Sequence, residues 1–213
     1  MNALIVLGGD APGKALLESC ARQADLTIAA DKGLEAFVSA QMVPDLLLGD
    51  MDSVSEDVLS SMADKTTIER LPCEKDDTDG VHALDTAIAR GADRITILGA
   101  LGGRMDHAMA NLMLLVRAHR RGAAAEILDE QVRIARVCGE AVLSGAKGDT
   151  VSLLPAGEVS GVTLEGFYYH ASEPLEFDFS YPMGVSNVVT EDSARVCAQS
   201  GDLLLFHYYA GIE

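Results

Sequence analysis

Tryptophan is absent from the 213 residues, and with only five Tyr and five Phe any stacking platform for a flat ligand must come from those side chains. Cysteine is scarce. Cys20, Cys73, Cys138 and Cys197 form no C-x-x-C and share no paired spacing with histidines, which excludes a zinc ribbon or disulfide framework and fits reduced thiols. No apolar run approaches the roughly 20 residues of a membrane helix. The short run Ala3 to Leu7 lacks a basic flank and stops at Gly8-Gly9-Asp10, so it reads as a first strand rather than a leader. Cations are few as well: 16 Lys plus Arg face 33 Asp plus Glu, a net charge of −17. With no basic stripe to release counterions, nucleic acid is not an expected partner. A soluble, cytoplasmic protein is expected.

What is present argues for a folded chain. Hydrophobic residues make up 48% of the sequence and mean hydropathy is +0.17, too apolar for disorder in spite of the charge. The length suits one large domain or two small ones. The acidity is uneven, because 15 of the 19 Asp residues fall within residues 1–130 while Glu is spread along the chain. Solubility draws on Asp and Glu alike, so an excess of the shorter carboxylate in one half points to metal ligands, turns or caps.

The chain divides by periodicity. Through residue 130, β-rich runs (Ala3 to Leu7, Leu26 to Ala30, Leu46 to Leu48, Thr66 to Leu71, Arg94 to Leu98, Ala125 to Leu128) alternate with helical segments (Gly13 to Gln23, Leu34 to Gln41, Ser55 to Ala63, Thr78 to Arg90, Met105 to Arg121). In the last helix Met105, Met109, Leu112, Met113 and Val116 are expected to form a core stripe, with Gly122 as the stop. This alternation predicts an α/β domain with a mainly parallel, Rossmann-like sheet over residues 1–130, which binds ligands at the carboxyl ends of its strands. From residue 131 the helical pattern gives way to short β runs between Gly, Pro and Ser. They read as an all-β sandwich domain over residues 131–213, with strands near Val132 to Val137, Val151 to Leu154, Gly161 to Leu164, Val185 to Thr190, Arg195 to Ala198 and Leu203 to Tyr208.

The first loop, Gly8-Gly9-Asp10-Ala11-Pro12-Gly13-Lys14-Ala15, nearly spells a P-loop between a strand and a helix. Three features oppose that reading: Ala15 stands where Ser or Thr would hold magnesium, Pro12 removes an N–H from the cradle, and Asp10 repels phosphate. A glycine turn at a strand end is the better reading. The acidic loops carry more. Asp50 and Asp52, in Gly49-Asp50-Met51-Asp52-Ser53, can converge on one hard cation or serve as turn and cap residues. Asp31 follows an earlier strand, Glu74-Lys75-Asp76-Asp77-Thr78-Asp79 a later one, and Gly102-Gly103-Arg104-Met105-Asp106-His107 another. Aspartates at four successive strand ends converge on one cleft if the strands are parallel. Such a cleft suits Mg²⁺ and a polyphosphate, with Lys75 and Arg104 neutralising charge, or each of these cations pairing with a neighbouring Asp. His107 and Asn111, four apart, can share one helix face.

With these motifs the sequence resembles the thiamine pyrophosphokinases, which transfer pyrophosphate from ATP to thiamine. The resemblance covers nearly the whole chain: Ala-Asp-x-Gly at Ala30 to Gly33, Gly-Asp-x-Asp-Ser at Gly49 to Ser53, Lys-Asp-x-Thr-Asp at Lys75 to Asp79, Gly-Gly-Arg-x-Asp-His at Gly102 to His107, Asn111, and Gly-x-Ser-Asn at Gly184 to Asn187. It implies an α/β catalytic domain that binds ATP and Mg²⁺, a thiamine-binding β-sandwich, and a homodimer with active sites between subunits. Asp50, Asp52 and Asp79 would handle metal and phosphate, with Asp31 and Asp106 lining the same site and Asp79 or Asp106 taking the hydroxyl proton. Arg104, Lys75, His107 and Asn111 would address ATP, and Ser186 and Asn187 thiamine. Lys32 stands where the family commonly has glycine, which could add a phosphate contact or alter the loop, and without tryptophan any stacking on thiamine falls to residues such as Phe167, Tyr168, Tyr169 or Tyr181. Two alternatives stay open: a pyrophosphokinase acting on another hydroxyalkyl heterocycle such as a pterin, and a non-catalytic nucleotide or thiamine sensor.

Overall fold

The computed structural model describes residues 1–51, 54, 59, 62, 64–71, 77–137, 139–181 and 183–209. It separates into two compact units, Met1–Glu130 and Gln131–Glu213.

In the first unit the strands β1 (Asn2–Val6), β2 (Leu26–Ala30), β3 (Leu46–Gly49), β4 (Thr67–Arg70), β5 (Arg94–Leu98) and β6 (Ala124–Leu128) form a sheet in the order β6-β5-β1-β2-β3-β4. Every pairing among them is parallel. Between them run α1 (Lys14–Ala21), α2 (Gly33–Ser39), α3 (Asp79–Ala89) and α4 (Met105–Arg120). The near-continuous apolar runs of β1 and β3 follow from burial on both sheet faces. Leu4, Val6, Ala29, Leu47 and Leu98 pack with Leu17, Leu34 and Phe37 into one core cluster. The alternating Ile5, Ile28, Leu46 and Ile97, also buried, point to the opposite face by strand geometry. α3 packs on β2 and β3, and α4 on β6. Thr78 caps α3, its Oγ1 accepting from the Val81 N–H at 3.3 Å.

The methionine stripe expected in α4 is corrected. Met105, Met109 and Met113 are exposed (75%, 49% and 43%), while Leu114, Leu115, Val116 and Ala118 are buried. Of the expected stripe Val116 is buried, and Asn111 on the same helix donates its Nδ2 to the Ala100 carbonyl at 2.8 Å. A Leu-Leu-Val run seats closely on a parallel sheet, whereas the flexible methionines tolerate solvent. The helix expected over Ser55 to Ala63 lies mostly outside the described residues.

The second unit holds two antiparallel arrays. In one, β12 (Gly184–Val188), β9 (Thr150–Pro155), β14 (Leu203–Tyr208) and β7 (Val132–Val137) pair in that order. The other is a separate sheet ordered β11 (Ala171–Phe177), β10 (Val159–Glu165), β13 (Ser193–Cys197) and β8 (Glu140–Ser144). Val151, Leu153, Leu203 and Leu205 from the first share a core with Val162, Leu164, Ala194 and Val196 from the second. The sequence reading missed β8 and β11. Both are edge strands: β11 carries Pro174 and polar exposed positions, which an edge tolerates, and β8 buries only Leu143.

One ion cluster ties α3 to α4. Arg117 grips both oxygens of Asp85 (Nε–Oδ1 2.9 Å, Nη2–Oδ2 2.6 Å) and Arg121 Nη2 adds a third contact at 2.9 Å. The hydrogen bond from Arg117, ahead of the opposing effect of burial, holds the Asp85 carboxyl below its ordinary 3.8. A carboxyl lowered in the folded state stabilises above its unfolded value and loses that contribution as pH falls through the folded value. Asp85→Asn is expected to lower stability by about 1 kcal/mol at neutral pH. In urea titrations the gap to the unsubstituted protein should close as the pH drops below 3.8.

Candidate active site

Chain direction in the parallel sheet brings the sequence-predicted loops together. β1 and β5 are neighbours, but their following segments leave toward opposite sides of the sheet, which opens a crevice at their carboxyl ends. The glycine turn after β1 is sewn to the loop after β5: Gly9 N–H donates to Gly99 O at 2.8 Å and Asp10 N–H to Leu101 O at 2.7 Å. The crevice forms a cleft of about 660 Å³, within the range of small-molecule sites. Asp31, Asp50, Asp79, Arg104, His107 and Asn111 line it, as do Asp10 and Lys32.

The acidic centre is tightly built. Asp31 adopts a left-handed φ of 45°, with its N–H on Leu48 O at 3.0 Å and its carbonyl accepting from Leu34 N–H at 3.0 Å, so it is fixed by both β3 and the start of α2. Gly49, at φ 151°, has to be glycine, because a Cβ there would lie 1.8 Å from Asp31 Oδ1. That oxygen is buried with no hydrogen-bond partner. Burial, then a hydrogen bond with Asp79 and the charges of Asp79 and Asp50, push the Asp31 carboxyl up to about 7, against a lowering contact from the Met51 backbone. Asp79 stands at the first residue of α3, where the helix end favours negative charge. Asp31, Asp50 and Asp79 thus bring three carboxyl groups, the hard oxygen donors a divalent cation prefers, to the lining of one cleft.

The remaining expectations fall as follows. Arg104 and Asp106 pair with each other across two residues (Nε–Oδ1 3.1 Å, Nη2–Oδ2 2.6 Å), both exposed, and the arginine holds the Asp106 carboxyl down at about 2. Asp106 also accepts from the His107 N–H at 3.0 Å, and it does not line the cleft. In the second unit the Asn187 side chain is engaged by the fold: its Oδ1 accepts from Tyr169 and Val188 N–H (3.0 and 2.9 Å) and its Nδ2 donates to Tyr169 O at 2.7 Å. Ser186 has a left-handed φ of 61°, and its N–H donates to Ser152 Oγ at 3.0 Å. Asp52 and Lys75 lie outside the described residues. Asp10 was passed over as a site residue because the near-P-loop reading cast it only as an obstacle to phosphate; its place directly after a strand end was the usable signal. Among the described residues no group of three His, Cys, Asp or Glu side chains forms a ready metal cage.

Residues 17–127 match the family model described as thiamin pyrophosphokinase, catalytic domain, and residues 138–203 that described as thiamin pyrophosphokinase, vitamin B1 binding domain. A thiamine pyrophosphokinase of Bacillus subtilis (strain 168) is 31% identical over 148 residues, covering 68% of this chain and 69% of the relative. Among solved structures, thiamine pyrophosphokinase from B. subtilis superposes with a TM-score of 0.84 at 25% identity, over 99% of this chain and all of the other. The thiamin pyrophosphokinase of Geobacillus thermodenitrificans follows at 0.81 and 27%, over 99% of both chains. That of Candida albicans, at 17% identity over 98% of this chain and 88% of its own, shares the fold with a TM-score of 0.80.

The Asp31 environment makes a prediction of unusual sign. A carboxyl raised from 3.8 to about 7 destabilises the fold once ionised, so stability falls as pH rises between those values. In metal-free protein, Asp31→Asn should therefore raise the thermal midpoint at pH 8 and leave it little changed at pH 4. Added Mg²⁺ should stabilise the unsubstituted chain more than the variant, as read by thermal melts.

Proposed function

The chain belongs to the thiamin pyrophosphokinase family, and on that premise we propose how its residues carry out the transfer of pyrophosphate from ATP to thiamine, which yields thiamine diphosphate and AMP. The observation that supports placing the reaction in the first unit is the convergence of Asp31, Asp50 and Asp79 on one cleft. In the reaction the thiamine hydroxyl oxygen bonds to the β-phosphorus, the bond from that phosphorus to the α–β bridging oxygen breaks, and AMP leaves with the bridging oxygen. The hydroxyl proton passes to a carboxylate. Asp79 lines the cleft whereas Asp106 is held by Arg104, and this favours Asp79 as the acceptor.

Asp50 and Asp79, with Asp52, are assigned to Mg²⁺, with Asp31 beside them in the cleft lining. Bound there, the ion would neutralise phosphate charge and align the polyphosphate. The protein's own contribution is mainly positional. Asn111, fixed to Ala100 O, and His107 border the nucleotide region, while Arg104 and Lys75 supply positive charge for the phosphates. Thiamine contacts are assigned to Ser186 and its loop, with the Asn187 amide shaping that loop.

The finer features belong to the same reading: a Rossmann-like first unit, a β-sandwich second unit, a cytoplasmic homodimer with active sites between subunits, and no nucleic-acid partner, in keeping with the charge of −17. No helix among the described residues is long and apolar enough to cross a membrane. The matches over both units give no support to a pterin substrate or to a sensor without catalysis.

Incubated with ATP, Mg²⁺ and thiamine, the protein should release AMP and thiamine diphosphate in equal amounts, resolved by chromatography. Asp79→Asn or Asp52→Asn should lower kcat by roughly 100-fold or more, as expected for loss of an interaction made to the transition state, with the folded state retained. Release of inorganic phosphate in place of AMP would contradict the assignment.

A further inference from the structure

We propose that Lys32 is a nucleotide-phosphate ligand in the cleft, an inference that rests on the pyrophosphate-transfer reading and adds to it a substrate-binding residue. The cleft is acidic: Asp10, Asp31, Asp50 and Asp79 line it, and a nucleotide triphosphate brings several further negative charges. Cations must offset both. Among the described lining residues, Lys32 and Arg104 are the two that carry fixed positive charge. Arg104 is gripped through two nitrogens by Asp106, so it turns to phosphate only by releasing that carboxylate. Lys32 makes no ion pair with any described residue, so its ammonium meets phosphate without first giving up a carboxylate.

The backbone presents this lysine in a fixed place. Lys32 precedes α2, its carbonyl accepting from Glu35 N–H at 2.9 Å, and it directly follows Asp31, which is pinned to β3. Its stem lies along the turn after β1. A Cβ added to Gly8 would come within 2.9 Å of Lys32 Cβ and 3.8 Å of its Cγ, so glycine at position 8 makes room for the lysine rather than for a phosphate cradle. The sequence's own P-loop candidate behaves otherwise: Lys14 is not among the residues lining the cleft and lies 3.8 Å from Glu18 on the exposed face of α1. The near-P-loop thus contributes a seat for the lysine of the neighbouring strand end, and its own lysine is a surface residue.

Calorimetric binding of α,β-methylene-ATP with Mg²⁺, together with steady-state AMP release, tests this on the full chain. Lys32→Met should weaken binding of the analogue and raise KM for ATP by about tenfold or more, the scale of one lost charge-assisted phosphate contact. KM for thiamine and the thermal midpoint should stay close to the unsubstituted values. Lys32→Arg should restore most of the affinity, and Lys14→Met should match the unsubstituted protein throughout. Nucleotide binding and KM unchanged in Lys32→Met, or weakened equally in Lys14→Met, would overturn the assignment to Lys32. An unsubstituted protein that binds the analogue in a Lys32-dependent way but releases no AMP would overturn the pyrophosphate-transfer reading and leave Lys32 as a phosphate ligand.

Discussion

Everything in the first unit is arranged around a repulsion. Asp31, Asp50 and Asp79 face one cleft, and one of them is raised to about 7 by burial and by its acidic neighbours. Carboxylates are not gathered this way for stability: each ionised neighbour disfavours the next, and an unbonded buried oxygen adds a desolvation cost. The arrangement persists because the surrounding backbone leaves no alternative. Asp31 is bonded to β3 and α2, Asp50 follows β3 directly, and Asp79 opens a capped helix. Strain at a rigid strand end is what a site for a cation and its polyphosphate requires, since the ligand then supplies the missing compensation.

The scaffold makes this tolerable. Strands buried on both faces and paired in parallel keep their carboxyl ends at one edge, and the short turns that follow have little freedom to move apart. The chain leaves the parallel strands β1 and β5 toward opposite edges of the sheet, which opens the crevice, and two backbone hydrogen bonds hold the glycine turn against the loop after β5. In the second unit polar groups are paired rather than opposed. Arg136 Nε meets Asp202 at 2.6 Å and His207 Nε2 meets Asp149 at 2.6 Å, all four side chains largely buried. The contrast marks the first unit as the place where electrostatic cost has been concentrated.

Much of this was legible in the sequence, and the reasons are local. The β1, β2, β3 and β5 runs are apolar because both faces are buried, and the glycine or aspartate that follows each marks the strand end, so the α/β order and the convergence of Asp31, Asp50, Asp79 and Arg104 could be read directly. The inward stripe of α4 could not. Met105, Met109 and Met113 are as apolar as Leu114 and Leu115, and which stripe faces inward depends on tertiary contacts such as that of Asn111 with Ala100. The edge strands β8 and β11 escaped because an edge needs little burial and admits proline. Partner choice was only half legible: the sequence left open whether Arg104 pairs with a neighbouring Asp and whether Lys32 meets phosphate, and it does not tell that Asn187 is consumed by Tyr169.

If the cleft is a repulsive cage compensated by a cation and its nucleotide, divalent metal and nucleotide must bind cooperatively. Calorimetric titration of α,β-methylene-ATP in the presence and absence of Mg²⁺ measures this most directly. Affinity should rise by about tenfold or more with the metal, a coupling of about 1.4 kcal/mol or greater. Equal or tighter binding in metal-free solution would contradict the account.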